Sequence, residues 1–204
     1  HESLRTSFPV VNGEAHQVIL PPFSIHLEKQ LQDLSNLAPQ DIPSLIDKIA
    51  QEEATTPFDL SQGPLLRVKL LKVHQQEHVL LITMHHIISD AWSMTIFFNE
   101  LSSLYNSLLE GKEPSLNPLP IQYADFALWQ RNWLQGEVLE QQLSYWKQQL
   151  SNIPDLLNLP FDKPRPKELT YKGAIYHTTL SKQLKDNLNK LSQDYEASLF
   201  MTLL

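Results

Sequence analysis

Apolar residues recur along the chain with two different periods, and this pattern predicts a mixture of strands and helices. Two β-prone runs, residues 6–11 and 15–20, flank Asn12-Gly13, a dipeptide typical of tight hairpins. Two further strands are expected at residues 65–73 and 79–84, on either side of a polar turn. The second of these is nearly all apolar, which is typical of a strand buried on both faces.

Five segments carry apolar residues at the spacing of a helical face. They lie at residues 44–53, 91–109, 123–133 and 138–150, and downstream of Ser181, which is the predicted N-cap of the last helix. The proline-rich residues 159–166 predict an extended segment without helix or strand, and residues 174–180 are a candidate strand. Strands and helices mixed in this way, with antiparallel hairpins and no internal repeat, predict an α/β fold.

The composition excludes some kinds of functional site and argues against some kinds of binding partner. The 204 residues suit one large domain or two small lobes. Without cysteine the chain has no disulfides, thiol nucleophiles or thiolate metal sites. A net charge of −7 with scattered basic residues argues against nucleic acid or an anionic membrane as partner. No apolar run reaches the ~18 residues of a membrane span, and a cytoplasmic location is expected.

Both ends of the sequence are unusual for a complete protein. The chain begins with histidine rather than methionine, and no signal peptide is recognisable there. The apolar residues 199–204 are typical of the middle of an element. We therefore expect an internal fragment of a longer polypeptide.

The residues that point to chemistry follow the predicted strand 79–84, where His85 and His86 precede Asp90. Neighbouring residues on a strand point to opposite faces, so the two imidazoles could not easily bind one metal ion, and no metal site is expected. No Gly-x-Ser-x-Gly nucleophile elbow and no glycine-rich phosphate loop is present. Spacing alone leaves two interpretations open: a general base supported by Asp90, or two strand-end histidines satisfied by backbone groups.

Five blocks of sequence resemble condensation domains of nonribosomal peptide synthetases. Residues 84–93 (MHHIISDAWS) resemble the HHxxxDG motif of this family, residues 1–6 (HESLRT) resemble RHExLRT, and residues 123–129 (YADFALW) resemble YxDFAxW. Residues 58–67 and 159–166 are similar to further segments of the family. The blocks occur in the family's order across essentially the whole chain, which makes the resemblance much more specific than the histidine motif alone.

The resemblance implies a chloramphenicol-acetyltransferase-like fold of two lobes, with a mixed sheet and flanking helices in the first. The 204 residues would form a partial condensation domain: most of the N-terminal lobe, and the start of the crossover to the C-terminal lobe near residues 165–204. Nearly all of the C-terminal lobe would be missing, so this fragment alone is expected to be inactive.

The resemblance also implies an activity and its partners. Such domains form peptide bonds between thioesters that carrier domains hold on phosphopantetheine arms, and no cofactor is bound directly. The expected partners are the donor and acceptor peptidyl carrier domains, an adjacent adenylation domain and the missing lobe. The role would be a step in the biosynthesis of an antibiotic or another secondary metabolite.

Carried over to this sequence, the motif assigns roles to five residues. His86 would be the catalytic residue, as a base or as a group that positions the attacking amine. His85 would be structural and point away from the substrate tunnel. Asp90 would also be structural and pair with an arginine, with Arg5 as the first candidate and Arg67 as the second. Breaking a buried charge pair of this kind is costly, so we expect Asp90→Ala to harm folding more than chemistry.

One residue departs from the motif, because Ala91 replaces its glycine. Glycine suits a positive φ or a close backbone approach, so the alanine is expected to be tolerated only if the local φ is negative. Two alternatives remain open: an epimerization domain of the same fold, and a catalytically silent carrier-binding or recruiting domain, which Ala91 favours. The continuation Trp92-Ser93-Met94 resembles condensation domains more closely.

Overall fold

The chain begins with a 3₁₀ turn (Glu2–Arg5) and four short strands. These are β1 (Thr6–Ser7), β2 (Val10–Val11), β3 (Glu14–Ala15) and β4 (Val18–Ile19). β1 pairs with β4 and β2 with β3, both antiparallel, which confirms the predicted hairpin. Asn12 and Gly13 form its turn with φ values of 54° and 84°, a conformation that these two residue types adopt at low cost.

A three-stranded mixed sheet contains the other two predicted strands. β5 (Leu31–Asp33) runs parallel to the central strand β6 (Leu66–His74), which pairs antiparallel with β7 (Glu77–Met84). The expectation that residues 79–84 are buried on both faces is wrong, because every residue of β7 is half-buried or exposed. In the described part of the chain β7 pairs with β6 alone and forms an edge of the sheet, so its apolar sequence does not correspond to a central position.

Helices account for most of the remaining regular structure. They are α1 (Ile42–Thr55), α2 (Ala91–Leu109), α3 (Tyr123–Trp133), α4 (Gly136–Gln149), α5 (Lys182–Asp194) and α6 (Leu199–Leu203), and a second 3₁₀ turn covers Leu27–Lys29. The first five match the predicted helices. None of the helices in the described ranges is both long and apolar enough to cross a bilayer.

This computed structural model describes residues 1–156, 159–170 and 173–204. Residues 159–166 contain no helix or strand, as predicted. The candidate strand at residues 174–180 is wrong, since residues 173–180 carry no regular structure. Ile175 and Tyr176 are 82% and 90% exposed there, so the run packs against neither a sheet nor a core.

The chain divides into two units, residues His1–Ser151 and Asn152–Leu204. The first unit has two small apolar clusters: Leu34, Ile49 and Leu71 between α1 and the sheet, and Leu65, Leu66 and Ile88 below the end of β7. In the second unit the Ser181 side chain caps α5, as predicted, by accepting a bond from the backbone N–H of Leu184. The mixed sheet with flanking helices confirms the predicted fold class.

Candidate active site

A tight turn carries the two histidines from β7 toward α2. The backbone N–H of His85 donates to the Leu65 carbonyl (3.0 Å), which extends the pairing between β6 and β7 by one bond. The N–H of Ile88 donates to the His85 carbonyl (3.0 Å) and closes a turn over residues 85–88. His86 and Ile87 occupy the exposed centre of the turn, while Ile88 is buried in the apolar cluster below it. The turn therefore presents the His86 imidazole on the surface of the first unit.

The side chain of His85 is bound within the turn. Its Nδ1 accepts a hydrogen bond from the backbone N–H of Ile87 (3.0 Å), so this nitrogen carries no proton. Its ring meets that of Phe58 edge to face, with 6.0 Å between centroids and 86° between the planes. The His85 carbonyl also accepts a bond from the Ser89 hydroxyl (3.3 Å). These contacts tie His85 into the turn, whereas His86 is exposed.

Asp90 is the N-cap of α2. Its Oδ1 accepts the backbone N–H of Ser93 (2.7 Å), and its own N–H donates to the Ser93 hydroxyl (2.8 Å), which together form a capping box. The Ser93 backbone N–H, and then its hydroxyl, hold the pKa of Asp90 below its ordinary value, and the nearby His86 acts in the same direction. The sequence contained a signal for this cap, an aspartate three residues before a serine at the start of an apolar helix.

Among the residues that the structure describes, Asp90 forms no ion pair with Arg5 or Arg67. Arg5 instead binds Glu2 (Nη2–Oε1 3.1 Å) and the carbonyl of Leu20 within the N-terminal segment. Arg67 binds Glu53 (Nε–Oε2 3.2 Å). The pairing hypothesis is corrected for a local reason: the cap engages the Asp90 carboxylate, and each arginine binds a glutamate and backbone carbonyls of its own.

Ala91 is the first residue of α2. A right-handed helical residue has a negative φ, so the local backbone does not require glycine and the alanine methyl group is tolerated. The methyl group lies on an exposed residue.

An apolar pocket lies beside the start of α2, on the same turn. Its lining includes Leu4, Met84, Ile88, Met94 and Phe97, but not His86. The His86 imidazole is therefore not part of the wall of this pocket. In the described ranges, no group of three or more histidine, aspartate or glutamate side chains is placed to hold a metal ion.

Comparisons with known proteins bear on the family and the fold of the chain. The sequence model of the family described as Condensation domain matches residues 1–204. One of the linear gramicidin synthase proteins of Brevibacillus parabrevis is 47% identical over 204 residues, which are all of this chain and 3% of that protein. Phosphinothricin tripeptide synthetase PhsC of Streptomyces viridochromogenes is 38% identical over the same length, 19% of that protein. The chain thus spans a small part of these curated relatives.

Solved structures resemble the fold. The X-domain from teicoplanin biosynthesis aligns with a TM-score of 0.78 and 28% identity, over 97% of this chain and 43% of that one. The epimerization domain TycB3(E) of tyrocidine synthetase B aligns with a TM-score of 0.79 over 98% of this chain and 43% of that one, but at 21% identity it shows the fold alone. With a family match over its whole length, a fold shared with these domains and the histidine motif on a capped turn, the chain belongs to the Condensation domain family.

Proposed function

We propose that the chain is part of a condensation domain in a nonribosomal peptide synthetase, and that this domain joins two carrier-bound units through a peptide bond. The residues would form most of its N-terminal lobe and the start of the crossover near residues 165–204. Family membership and the peptide synthetases among the relatives support this assignment. The observation that carries the site is the exposed His86 on a turn fixed by His85 on one side and by Asp90 on the other.

The proposed reaction is the aminolysis of a thioester. The free amine of the acceptor unit attacks the thioester carbonyl of the donor unit, a C–N bond forms, and a tetrahedral intermediate results. The C–S bond then breaks, and the donor's phosphopantetheine leaves as a thiolate, which takes up the proton that the amine gives away and becomes the thiol. His86 would accept that proton from the amine and return it to the leaving sulfur, or hold the amine in position for attack.

The geometry of the turn suits this task because it fixes the backbone on both sides of one imidazole. His85 is tied to Leu65 and Ile87 by hydrogen bonds, and Asp90 starts a helix of about five turns with a capping box. A catalytic group that is held in place loses little freedom on reaching the reactive geometry. The partners would be the donor and acceptor carrier domains, an adenylation domain and a C-terminal lobe that completes the tunnel.

The test is condensation in the intact enzyme with both carrier domains loaded, followed by intact-protein mass spectrometry. His86→Ala is expected to lose the dipeptidyl product on the acceptor carrier. His78→Ala is the matched control, because His78 is an exposed histidine on β7, the strand that leads into the turn of His86. It should retain the product. An unchanged rate in His86→Ala would contradict the assignment of the catalytic residue.

Chiral analysis of the units released from the carriers, together with a carrier-binding assay, distinguishes the two other functions. Because epimerisation does not change the mass, an epimerised monomer found by the chiral analysis, without a dipeptide, would indicate an epimerization domain. Neither product, with carrier binding retained, would indicate a silent recruiting domain. One solved structure is a complex of the teicoplanin X-domain and OxyB, which favours recruitment as the second candidate function for a chain of this fold.

A further inference from the structure

Three side chains contact one another in a row behind the histidine turn. They are Arg67, Phe58 and His85, and we call them the positioning column. The guanidinium carbon of Arg67 lies 3.8 Å from the centroid of the Phe58 ring, which is the distance of a cation–π contact. The Phe58 ring in turn meets the His85 ring edge to face at 6.0 Å. The column thus runs from a strand residue outside the histidine motif to the imidazole that shapes the turn.

The Arg67 end of the column is fixed by the end of helix α1. Its Nε donates to the Glu53 carboxylate (3.2 Å), and its Nη2 donates to the carbonyls of Glu53 and Thr56 (2.8 Å each). Its Nη1 donates to the Pro57 carbonyl (3.4 Å). A planar guanidinium that satisfies the last carbonyls of a helix can hardly rotate, so it offers Phe58 a rigid flat surface.

The His85 end of the column fixes the turn. The lone pair of Nδ1 lies in the plane of the His85 ring, so the hydrogen bond from the Ile87 N–H forms only when that N–H points along this plane. Phe58 also packs on the buried cluster that includes Ile88, so it restrains both the ring and the residue that anchors the turn. Without Phe58 the His85 ring would be free to rotate, and the Ile87 N–H, next to His86, would lose its hydrogen bond.

We infer that Arg67 is a positioning residue which, through Phe58 and His85, holds the turn that presents His86. This inference rests on the proposed function for its effect on rate, but its effect on the turn is independent of that function. Arg67 was expected to form an ion pair with Asp90, and this inference gives it a contact with the Phe58 ring instead. That contact depends on the flat shape of the guanidinium, and a positive charge alone cannot provide it.

Two variants in the intact enzyme test the column. Arg67→Lys keeps the charge but not the flat surface, and Phe58→Leu keeps an apolar side chain but not the ring. The matched control is Lys69→Met, since Lys69 binds the same Glu53 carboxylate (Nζ–Oε1 2.7 Å) from two residues further along β6. Lys69→Met removes the Lys69–Glu53 ion pair, whose side chains are about as exposed as those of the Arg67–Glu53 pair. Phe58→Tyr, which restores the ring, tests rescue.

The first readout is hydrogen–deuterium exchange of the backbone amides at residues 85–88. We expect faster exchange in Arg67→Lys and Phe58→Leu, and wild-type exchange in Lys69→Met and Phe58→Tyr. The second is the kinetics of condensation. The two column variants should lower kcat about tenfold and leave KM for the loaded acceptor carrier within about twofold, since the turn is misplaced while carrier docking is not.

Wild-type exchange at the turn in a folded Arg67→Lys variant would overturn the inference, whatever the kinetics. So would an unchanged kcat in that variant when His86→Ala abolishes the reaction. If His86→Ala keeps the full rate, the proposed function fails instead, and the exchange result alone decides on the column. Should Phe58→Leu not fold, Arg67→Lys decides.

Discussion

Replacing Ile88 by alanine should destabilise the first unit of the protein substantially. Ile88 is 8% exposed and packs with Leu65 and Leu66, which are 0% and 7% exposed. Truncation of buried isoleucine to alanine costs about 2–5 kcal/mol of the free energy of unfolding. The cluster has half-buried residues around it that can relax into the space, so we expect about 2–3 kcal/mol for Ile88→Ala and about 1 kcal/mol for Ile88→Val.

The neighbouring residue provides a matched control. Ile87 is the same residue type on the same turn but is 43% exposed, and Ile87→Ala should change the free energy of unfolding by less than about 0.5 kcal/mol. Urea denaturation followed by far-ultraviolet circular dichroism measures both, since strands β1–β7 and helices α1–α4 lie in the unit His1–Ser151. Equal losses in Ile87→Ala and Ile88→Ala would refute the claim that the turn is anchored on its inner side.

Three further predictions concern the start of α2. Asp90→Ala should lower the unfolding temperature while Asp90→Asn, which can still cap, should lower it less, and a well-folded Asp90→Ala without turnover would contradict a structural role. Because the pKa of Asp90 is lowered by folding from 3.8, its stabilising contribution is present above that pH and is lost as the pH falls through the folded value. The difference in unfolding temperature between wild type and Asp90→Ala should therefore shrink below about pH 4. Ala91→Gly should destabilise the chain by no more than about 1 kcal/mol and leave the condensation rate unchanged; a gain in rate would show that the methyl group obstructs substrate.

The regular structure of this chain could be predicted largely from periodicity and end signals. The hairpin at Asn12-Gly13 and the helix after Ser181 were identifiable because one local interaction determines each of them. The position of a strand within its sheet could not be predicted in the same way. An apolar sequence led to the expectation that residues 79–84 are buried on both faces, yet no residue of β7 is fully buried. Within the described residues β7 pairs with β6 alone, and its burial depends on packing against parts of the protein that a local pattern does not specify.

The same distinction between local and long-range interactions applies to the candidate site. The capping role of Asp90 has a short-range signal in the sequence, an aspartate three residues before Ser93, although Asp90 was expected to pair with an arginine. The partners of the arginines could not be predicted from local signals. Arg67 on β6 contacts Glu53 on α1, 14 residues earlier in the sequence, and Phe58, 9 residues earlier. A single sequence indicates that such charges need partners, but the three-dimensional packing selects which partners they have.

The spacing of the motif itself now has a physical explanation. The strand ends so that His85 turns toward Phe58, and the four residues 85–88 close one turn with Ile88 anchored below. Shortly after this turn Asp90 begins the helix as its cap. The three residues between His86 and Asp90 are thus the length needed to complete the turn and reach the N-cap position. An insertion or deletion of one residue there would separate the exposed imidazole from the cap or remove the anchor, so the interval is as necessary to the site as the histidine.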